Sequence, residues 1–437
     1  MRIIIFGDAP GISQLLKHLP ESSICGFVIA KIRLTEFASD LRPISHNILI
    51  QPLPGDEEYS AFVANFKSLD PDLILVNSYS MIIREDILSV PRFGGLNLHG
   101  ALLPRNRGPH PEQWAIINGD RELGVTLHEL APTMDSGNIV DSVRVPLYID
   151  DTWKSVRARL FKAGDILIKR NLQKILSGDW GSYLQNEHEA TINPRRYPSD
   201  GKLDYSMSVI SIYNHIRALL PPMPPAFFLE NDQEKYVQQF CSIWEVVNWK
   251  YGWGGGMLEG KLVRLRPLQK SDENLLYEWI NHRETRLKSS AYYPISEQDH
   301  HEWMAKMMRK SIDRVIFVIE KIVVSETVGI CQLSNINLYN RSGELQIRIG
   351  SSSSRGKGYG SEVVNLLTYF AFNDLGLHRV YLQVQENNSE AIRAYEKCGF
   401  CKEGVLIDAD YIDGNYVNLI VMSKICSNMQ EKVANVE

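Results

Sequence analysis

Short apolar runs recur through the N-terminal part of the chain, separated by polar stretches whose apolar positions fall at helical spacing. Residues 2–6 (RIIIF), 24–29, 47–51, 73–76 and 95–98 are such runs, as expected of strands buried in a parallel sheet. Between them, 14–18 and 57–69 read as helices. Alternation of this kind predicts a Rossmann-like sheet, with ligands received beyond the carboxyl ends of its strands. A further strand fits 124–129, and 151–178 reads as one long amphipathic helix that closes the sheet. Val209, Ile212, Ile216 and Leu219 then share one face of a later helix.

The glycine run at 252–256 (GWGGG) offers little side chain to pack and is expected to join two modules. Strands fit 344–349 and 380–384 beyond it. Between these, 355–360 (RGKGYG) opens a helix with Val363, Leu366, Leu367 and Phe370 on its apolar face. Glycines before a helix N-terminus let backbone N–H groups approach an anion, which the helix dipole favours. That arrangement suits a pyrophosphate.

Length changes this picture only by requiring several cores, since 437 residues exceed one ordinary domain. The 44% hydrophobic and 23% charged content is that of a globular protein. A formal net charge of -5 argues against broad nucleic-acid binding. The six cysteines are scattered except for Cys398 and Cys401, whose spacing has no second pair to complete a zinc site. They are expected to be reduced, in a cytoplasmic protein. Neither a signal peptide nor a membrane span is expected, because the first apolar run ends at Gly7 and no later run is long enough.

Chemistry concentrates between Gly94 and Asn138. Asn97 and His99 stand two apart on a strand and so face the same way. The loop 102–108 (LLPRNRG), the run 124–129 (GVTLHE) and Asp135 in MDSG follow in order. Taken singly, a strand histidine or a turn aspartate is more often structural than catalytic.

The ordered set resembles the formyltransferases that use N10-formyltetrahydrofolate, the group containing the methionyl-tRNA and nucleotide-sugar enzymes. The resemblance implies that Asn97 and His99 steady the charge on the formyl oxygen, while Asp135 assists proton removal or tunes His99. It also implies a pterin against Met81, Ile82 and Ile83 and against Ala131, Thr133 and Met134. Arg107, Gly108, His110, Arg195 and Arg217 are the residues expected to bind the acceptor. The order DGKLDY at 200–205, IRAL at 216–219 and PPMPPAF at 221–227 is similar to the sugar enzymes. A tRNA enzyme would need a basic RNA-binding barrel, whereas residues 228–251 are few and carry Glu230, Asp232, Glu234 and Glu245.

In the C-terminal part, 355–360 together with 386–400 (ENNSEAIRAYEKCGF) resembles the GCN5-related N-acetyltransferases. The resemblance implies that Arg355, Gly356, Gly358 and Gly360 hold the pyrophosphate of acetyl-CoA. Asn388 would contact the cofactor arm, and Tyr395 would protonate the departing thiolate. Glu344 is the candidate base, although a solvated strand carboxylate fits it equally well. The consecutive Asp299, His300, His301 and Glu302 read as a helix surface, because adjacent side chains on a helix point apart, and no metal is expected.

The expected organisation is α/β throughout. A Rossmann-like formyltransferase domain with a parallel sheet (1–190) and its C-terminal subdomain (191–251) precede a linker (252–260) and an acetyltransferase domain with a mixed sheet (261–437). The expected function is bifunctional N-acylation: formylation of a nucleotide-linked amino sugar and acetylation of an amine in the same surface-polysaccharide pathway. Its partners would be small molecules, without nucleic acid or membrane, and a homodimer is compatible. Two alternatives stay open, a methionyl-tRNA formyltransferase-like enzyme and a formyltransferase carrying a non-catalytic acetyltransferase-like binding module.

Overall fold

The computed structural model describes residues 1–33, 47–53, 55–251, 258–287, 293–308, 313–350 and 352–426. They fall into two compact units, Met1–Lys202 with Asn214–Phe240, and Leu203–Tyr213 with Cys241–Glu437. The glycine run at 252–256 lies outside the described residues.

The first unit is built on seven strands, β1 (Ile3–Gly7), β2 (Ile24–Ala30), β3 (Asn47–Gln51), β4 (Leu73–Asn77), β5 (Gly95–His99), β6 (Glu122–Glu129) and β7 (Ile139–Pro146). Their order is β3-β2-β1-β4-β5-β6-β7. The first five pair in parallel, and β6 and β7 extend the sheet antiparallel. Every residue of β1 and β4 is buried, which is why these runs read as continuous apolar segments rather than alternating ones. The strand order reverses between β1 and β4, so a crevice opens beyond their carboxyl ends.

The helix Ala9–Leu16 starts earlier than its apolar pattern suggests. The Asp8 side chain accepts from Gly11 N at 2.8 Å and Pro10 sits in the first turn, both favourable at a helix start. The helix Trp153–Ser177 begins at the Thr152 cap and ends at Gly178, whose φ of 76° suits a left-handed cap. Asp151 lies outside it and takes Tyr148 N and the Arg159 guanidinium. Val156, Leu160, Ala163, Leu167, Ile168 and Ile175 form its buried face. A hairpin of β8 (Phe227–Glu230) and β9 (Gln233–Tyr236) completes the unit.

The second unit carries an eight-stranded mixed sheet: β10 (Leu258–Glu259), β11 (Val263–Pro267), β12 (Val315–Lys321), β13 (Thr327–Asn337), β14 (Ser342–Ile349), β15 (Arg379–Gln385), β16 (Cys401–Ile412) and β17 (Asn415–Ile425). The order is β10-β11-β12-β13-β14-β15-β17-β16. Among the described residues its one parallel pair, β14 with β15, is joined only at 342–344 and 379–381. Beyond those positions the two strands part and leave a gap in the sheet. The helix Tyr359–Tyr369 buries Val363, Val364 and Leu367, and its continuation ends at Asp374, which is 2% exposed. Asp374 accepts from Val209 N (3.3 Å), Lys250 Nζ (2.9 Å) and Tyr251 Oη (2.6 Å). A buried carboxylate needs such partners, and these three tie the segments around 209 and 250 into this unit.

All six cysteines are free. No described helix is long and apolar enough to cross a membrane. Among the described residues, no group of three or more His, Cys, Asp or Glu is placed to hold a metal. His300, expected on a helix surface, is instead buried, stacked on Trp303 and bonded through Nε2 to Glu273 O at 3.0 Å.

Candidate functional site

Strand β5 delivers Asn97 and His99 to one face, as their spacing requires. Antiparallel pairing then sets His128 of β6 opposite Asn97 and Thr126 opposite His99. Thr126 Oγ1 donates to Ala101 O (2.6 Å) and accepts from Leu103 N (3.2 Å), pinning the loop after β5 to the sheet. The loop then turns through Gly108, whose φ is 97° and whose added Cβ would lie 2.6 Å from Asn193 O. Only glycine fits there.

Asp135 closes the cluster. Its φ of 50° places it in the left-handed region, a strained backbone that often marks a working residue. Its carboxylate accepts from Gly108 N at 2.8 Å and lies 3.7 Å from His99 Nδ1 and 3.6 Å from His128 Nε2. Gln185 Nε2 donates to the carbonyls of Asp135 (2.8 Å) and Gly137 (2.7 Å), holding the turn from below. Asn97 Nδ2 lies 3.0 Å from His128 Nε2 and 3.4 Å from Asp135 Oδ1. His99 Nε2 lies 3.1 Å from Asn106 O. Since a carbonyl only accepts, that nitrogen carries the proton and Nδ1 turns its lone pair towards Asp135. Burial, with His99 alongside, pushes the His128 imidazole down to about 4, so it is neutral near pH 7.

The other expected residues of this site have separate fates. Met134 and Ile82 are exposed at 53% and 74%, with Met81, Ile83 and Ala131 half-buried and Thr133 exposed beside them. Gln51 Nε2 donates to Ile82 O at 3.1 Å, and Thr133 bonds Ser136. Arg107 is buried, with its guanidinium on Gln185 and Glu187. Arg217 is also buried, donating to Asn214 Oδ1 and to the carbonyls of Tyr148 and Asp151. Both arginines thus have partners within the protein.

Another group of cations acts on Asp8 and His110. Arg33, Arg195 and Arg196 all act on His110, whose imidazole is pushed down first by burial. Arg33 and Arg157 act on Asp8, whose carboxyl burial pushes up. Arg157 stands 3.9 Å from Asp8 and 4.0 Å from Glu112, beyond hydrogen-bond range of either. Arg196 lies 5.5 Å over the Trp114 ring, and its Nη1 is buried with no hydrogen-bond partner. No motif in the sequence marked Arg33, Arg157 or Arg196. His128 was visible only as part of GVTLHE, because its role depends on the register of β5 against β6.

The candidates in the second unit sit on β14, on the loop before the helix Tyr359–Tyr369 and on the helix Ser389–Lys397 with its cap. Gly356 and Gly358 have φ of 70° and 84°, and a Cβ at Gly356 or Gly360 would meet nothing. Gly358 caps the helix Tyr359–Tyr369, so its first N–H groups lie beside an open, side-chain-poor loop. Arg355 Nη1 contacts Glu284 Oε2 at 3.2 Å. Asn388 caps the helix Ser389–Lys397 by accepting from Ala391 N. Tyr395 packs on Phe400, and burial pushes its phenol up to about 12, so the hydroxyl keeps its proton at neutral pH. Glu344 accepts from Asn335 Nδ2 (2.7 Å) and Gln346 Nε2 (3.1 Å), opposite Ser334 and Tyr381. Ser334 Oγ there is buried without a partner.

Two family models match separate parts of the chain, formyl transferase over residues 44–172 and acetyltransferase (GNAT) domain over 263–401. The chain is 38% identical over 159 residues to the bifunctional polymyxin resistance protein ArnA of Wigglesworthia glossinidia brevipalpis, covering 36% of this chain and 24% of that protein. It therefore spans about a quarter of the length of that curated relative. The spermidine N-acetyltransferase of Vibrio cholerae solved with CoA and spermine is 29% identical, covering 38% of this chain and 96% of that one, with a TM-score of 0.35. A dodecameric structure of that Vibrio cholerae enzyme in an intermediate state is 28% identical, covers 39% and 97%, and has a TM-score of 0.34.

Proposed function

The chain carries a formyl transferase domain and a GNAT acetyltransferase domain, and on that premise we propose a bifunctional sugar N-acyltransferase. The N-terminal half formylates the amine of a nucleotide-linked amino sugar. The C-terminal half acetylates an amine of the same pathway, in the making of surface polysaccharide. The observation that carries formyl transfer is the cluster of Asn97, His99, His128 and Asp135, one set of donors and acceptors at the end of β5 and β6 with both imidazoles buried.

N10-formyltetrahydrofolate, when bound, supplies the activated formyl group, and the exposed Ile82 and Met134 are the apolar surface that would meet its ring. The Asn97 N–H that reaches Asp135 only at 3.4 Å is the one held loosely enough to turn to the charge growing on the formyl oxygen. As the amine nitrogen bonds the formyl carbon and the carbon–N10 bond of the donor breaks, Asp135 takes the proton lost by the amine and relays it to the departing nitrogen, with the His99 Nδ1 lone pair 3.7 Å away. Arg33, Arg157, Arg195 and Arg196 around Asp8 and His110 supply the positive field that a diphosphate needs, which favours a nucleotide-linked acceptor.

In the other half, acetyl-CoA supplies a thioester. The backbone N–H groups after Gly358 face its pyrophosphate, Tyr395 donates a proton to the leaving sulfur, and Glu344, at the last paired position before the strands part, is the candidate base. The test is mass spectrometry of the purified protein after incubation with a panel of nucleotide amino sugars and each acyl donor separately. Formylated and acetylated sugars are expected. A wild type that formylates initiator methionyl-tRNA and no sugar would contradict the acceptor, and one that acetylates nothing would contradict the second half.

A further inference from the structure

We propose that His128 is a positioning residue for formyl transfer, fixed as the Nδ1–H tautomer so that Nε2 holds the Asn97 amide in its working orientation. The inference rests on the formyl-transfer reading of this site and adds a residue to it.

Two contacts dictate the tautomer independently. His128 Nδ1 lies 2.8 Å from Glu129 O; a carbonyl accepts, so Nδ1 carries the proton. His128 Nε2 lies 3.0 Å from Asn97 Nδ2; an amide NH2 donates, so Nε2 offers a lone pair. A doubly protonated ring would satisfy the first contact and oppose the second. The ring is 1% exposed, which disfavours the charged form. The titratable and charged groups around it are His99 on β5, Asp135 in the loop after β6, and Arg107 in the loop after β5. The Glu129 carboxylate is turned away, onto Trp180 Nε1 and Ser182 Oγ.

Without an acceptor at Nε2 the Asn97 amide can rotate half a turn. Its carbonyl oxygen would then face the Asp135 carboxylate and the oxyanion, and both contacts are repulsive. His128 therefore sets which end of Asn97 meets the reacting oxygen, without touching substrate itself. Removing one oxyanion donor costs about 10²- to 10³-fold in rate, and losing only its orientation should cost less.

The direct test is nitrogen NMR of the full-length wild type labelled at histidine, with the His128 resonances assigned by their loss in H128Q. The Nδ1–H tautomer is expected near neutral pH, and an Nε2–H tautomer overturns the proposal. Kinetics give the second reading. H128L, which offers no acceptor, should lower kcat roughly 30-fold, with KM for both co-substrates within about twofold. H128Q, whose amide oxygen can accept from Asn97, should recover most of that loss. The double variant N97A/H128L should be no slower than N97A alone, because both act through one amide. Independent, multiplying losses, or no recovery by glutamine, would also overturn it. KM values for the formyl donor and its acceptor that stay near wild type, with a cooperative melt, show that H128L is folded around this site. A wild type that formylates no amine would instead sink the reaction assigned to the site, leaving the NMR result to stand separately.

Discussion

The two candidate sites solve acyl transfer with different materials. The N-terminal site is made of side chains: Asn97, His99, His128 and Asp135 form a part-buried cluster, supported by Gly108 N and Gln185. The C-terminal site is made mainly of backbone: a glycine loop, a helix N-terminus and two strands that part after three paired positions. Its candidate side chains Glu344, Asn388 and Tyr395 each have local partners of their own. The difference follows from the chemistry assigned to each half. A formyl amide needs arranged charges and proton carriers before it reacts, whereas a thioester needs chiefly to be held beside an amine.

If that contrast is right, substitutions should act unequally. The largest effect is expected from His99→Ala or Asp135→Ala, either of which should lower formyl transfer by about 10² to 10⁴ and leave acetyl-CoA affinity unchanged. A loss within about threefold for either would break the assignment. Gly358→Val comes next. A valine at φ 84° is strained and crowds the loop, so acetyl-CoA affinity measured by calorimetry should fall at least about tenfold. Formyl transfer should not change, and unaltered CoA binding would contradict the backbone-built site. Tyr395→Phe should keep that affinity and slow acetyl transfer by roughly tenfold, and an equal loss of affinity would mean that the ring shapes the pocket rather than supplying a proton.

The smallest expected effect is on stability. The imidazole of His128, held near about 4 in the folded protein, would titrate near its ordinary value of about 6.5 when unfolded. Between those values the unfolded chain binds the extra proton, so stability rises with pH across that window and falls as pH drops from 6.5 towards 4. His128→Gln should flatten that part of the melting-temperature profile. A profile identical to wild type would mean that the imidazole titrates at its ordinary value.

The sequence made local spacing legible and long-range pairing illegible. Asn97 and His99 could be read as a pair because alternation along one strand is a local property, and Asp135 because it closed an ordered set of motifs. His128 was not recognisable as their partner, since nothing local says that β6 runs antiparallel to β5 with these two residues opposite. The partners of the arginines were illegible for the same reason. The guanidinium groups of Arg107 and Arg217, the expected acceptor ligands, bond Gln185, Glu187 and backbone carbonyls from distant positions. Arg157 and Arg196, which carry no motif, stand beside Asp8 and Trp114. The apolar runs of β1, β4 and β5 were legible because burial on both faces leaves no alternation to decode. The helix Ala9–Leu16 began early because a cap and a proline, not its apolar pattern, set its start.

The central claim is that one chain holds two separate acyl-transfer sites with different donors. Mass spectrometry of sugars acylated by the wild type, His99→Ala and Gly358→Val, each given both donors together, tests it most directly. The account predicts formyl and acetyl products from the wild type, only the acetyl product from His99→Ala, and only the formyl product from Gly358→Val. Loss of both products in either single variant, with the protein still folded, would contradict it.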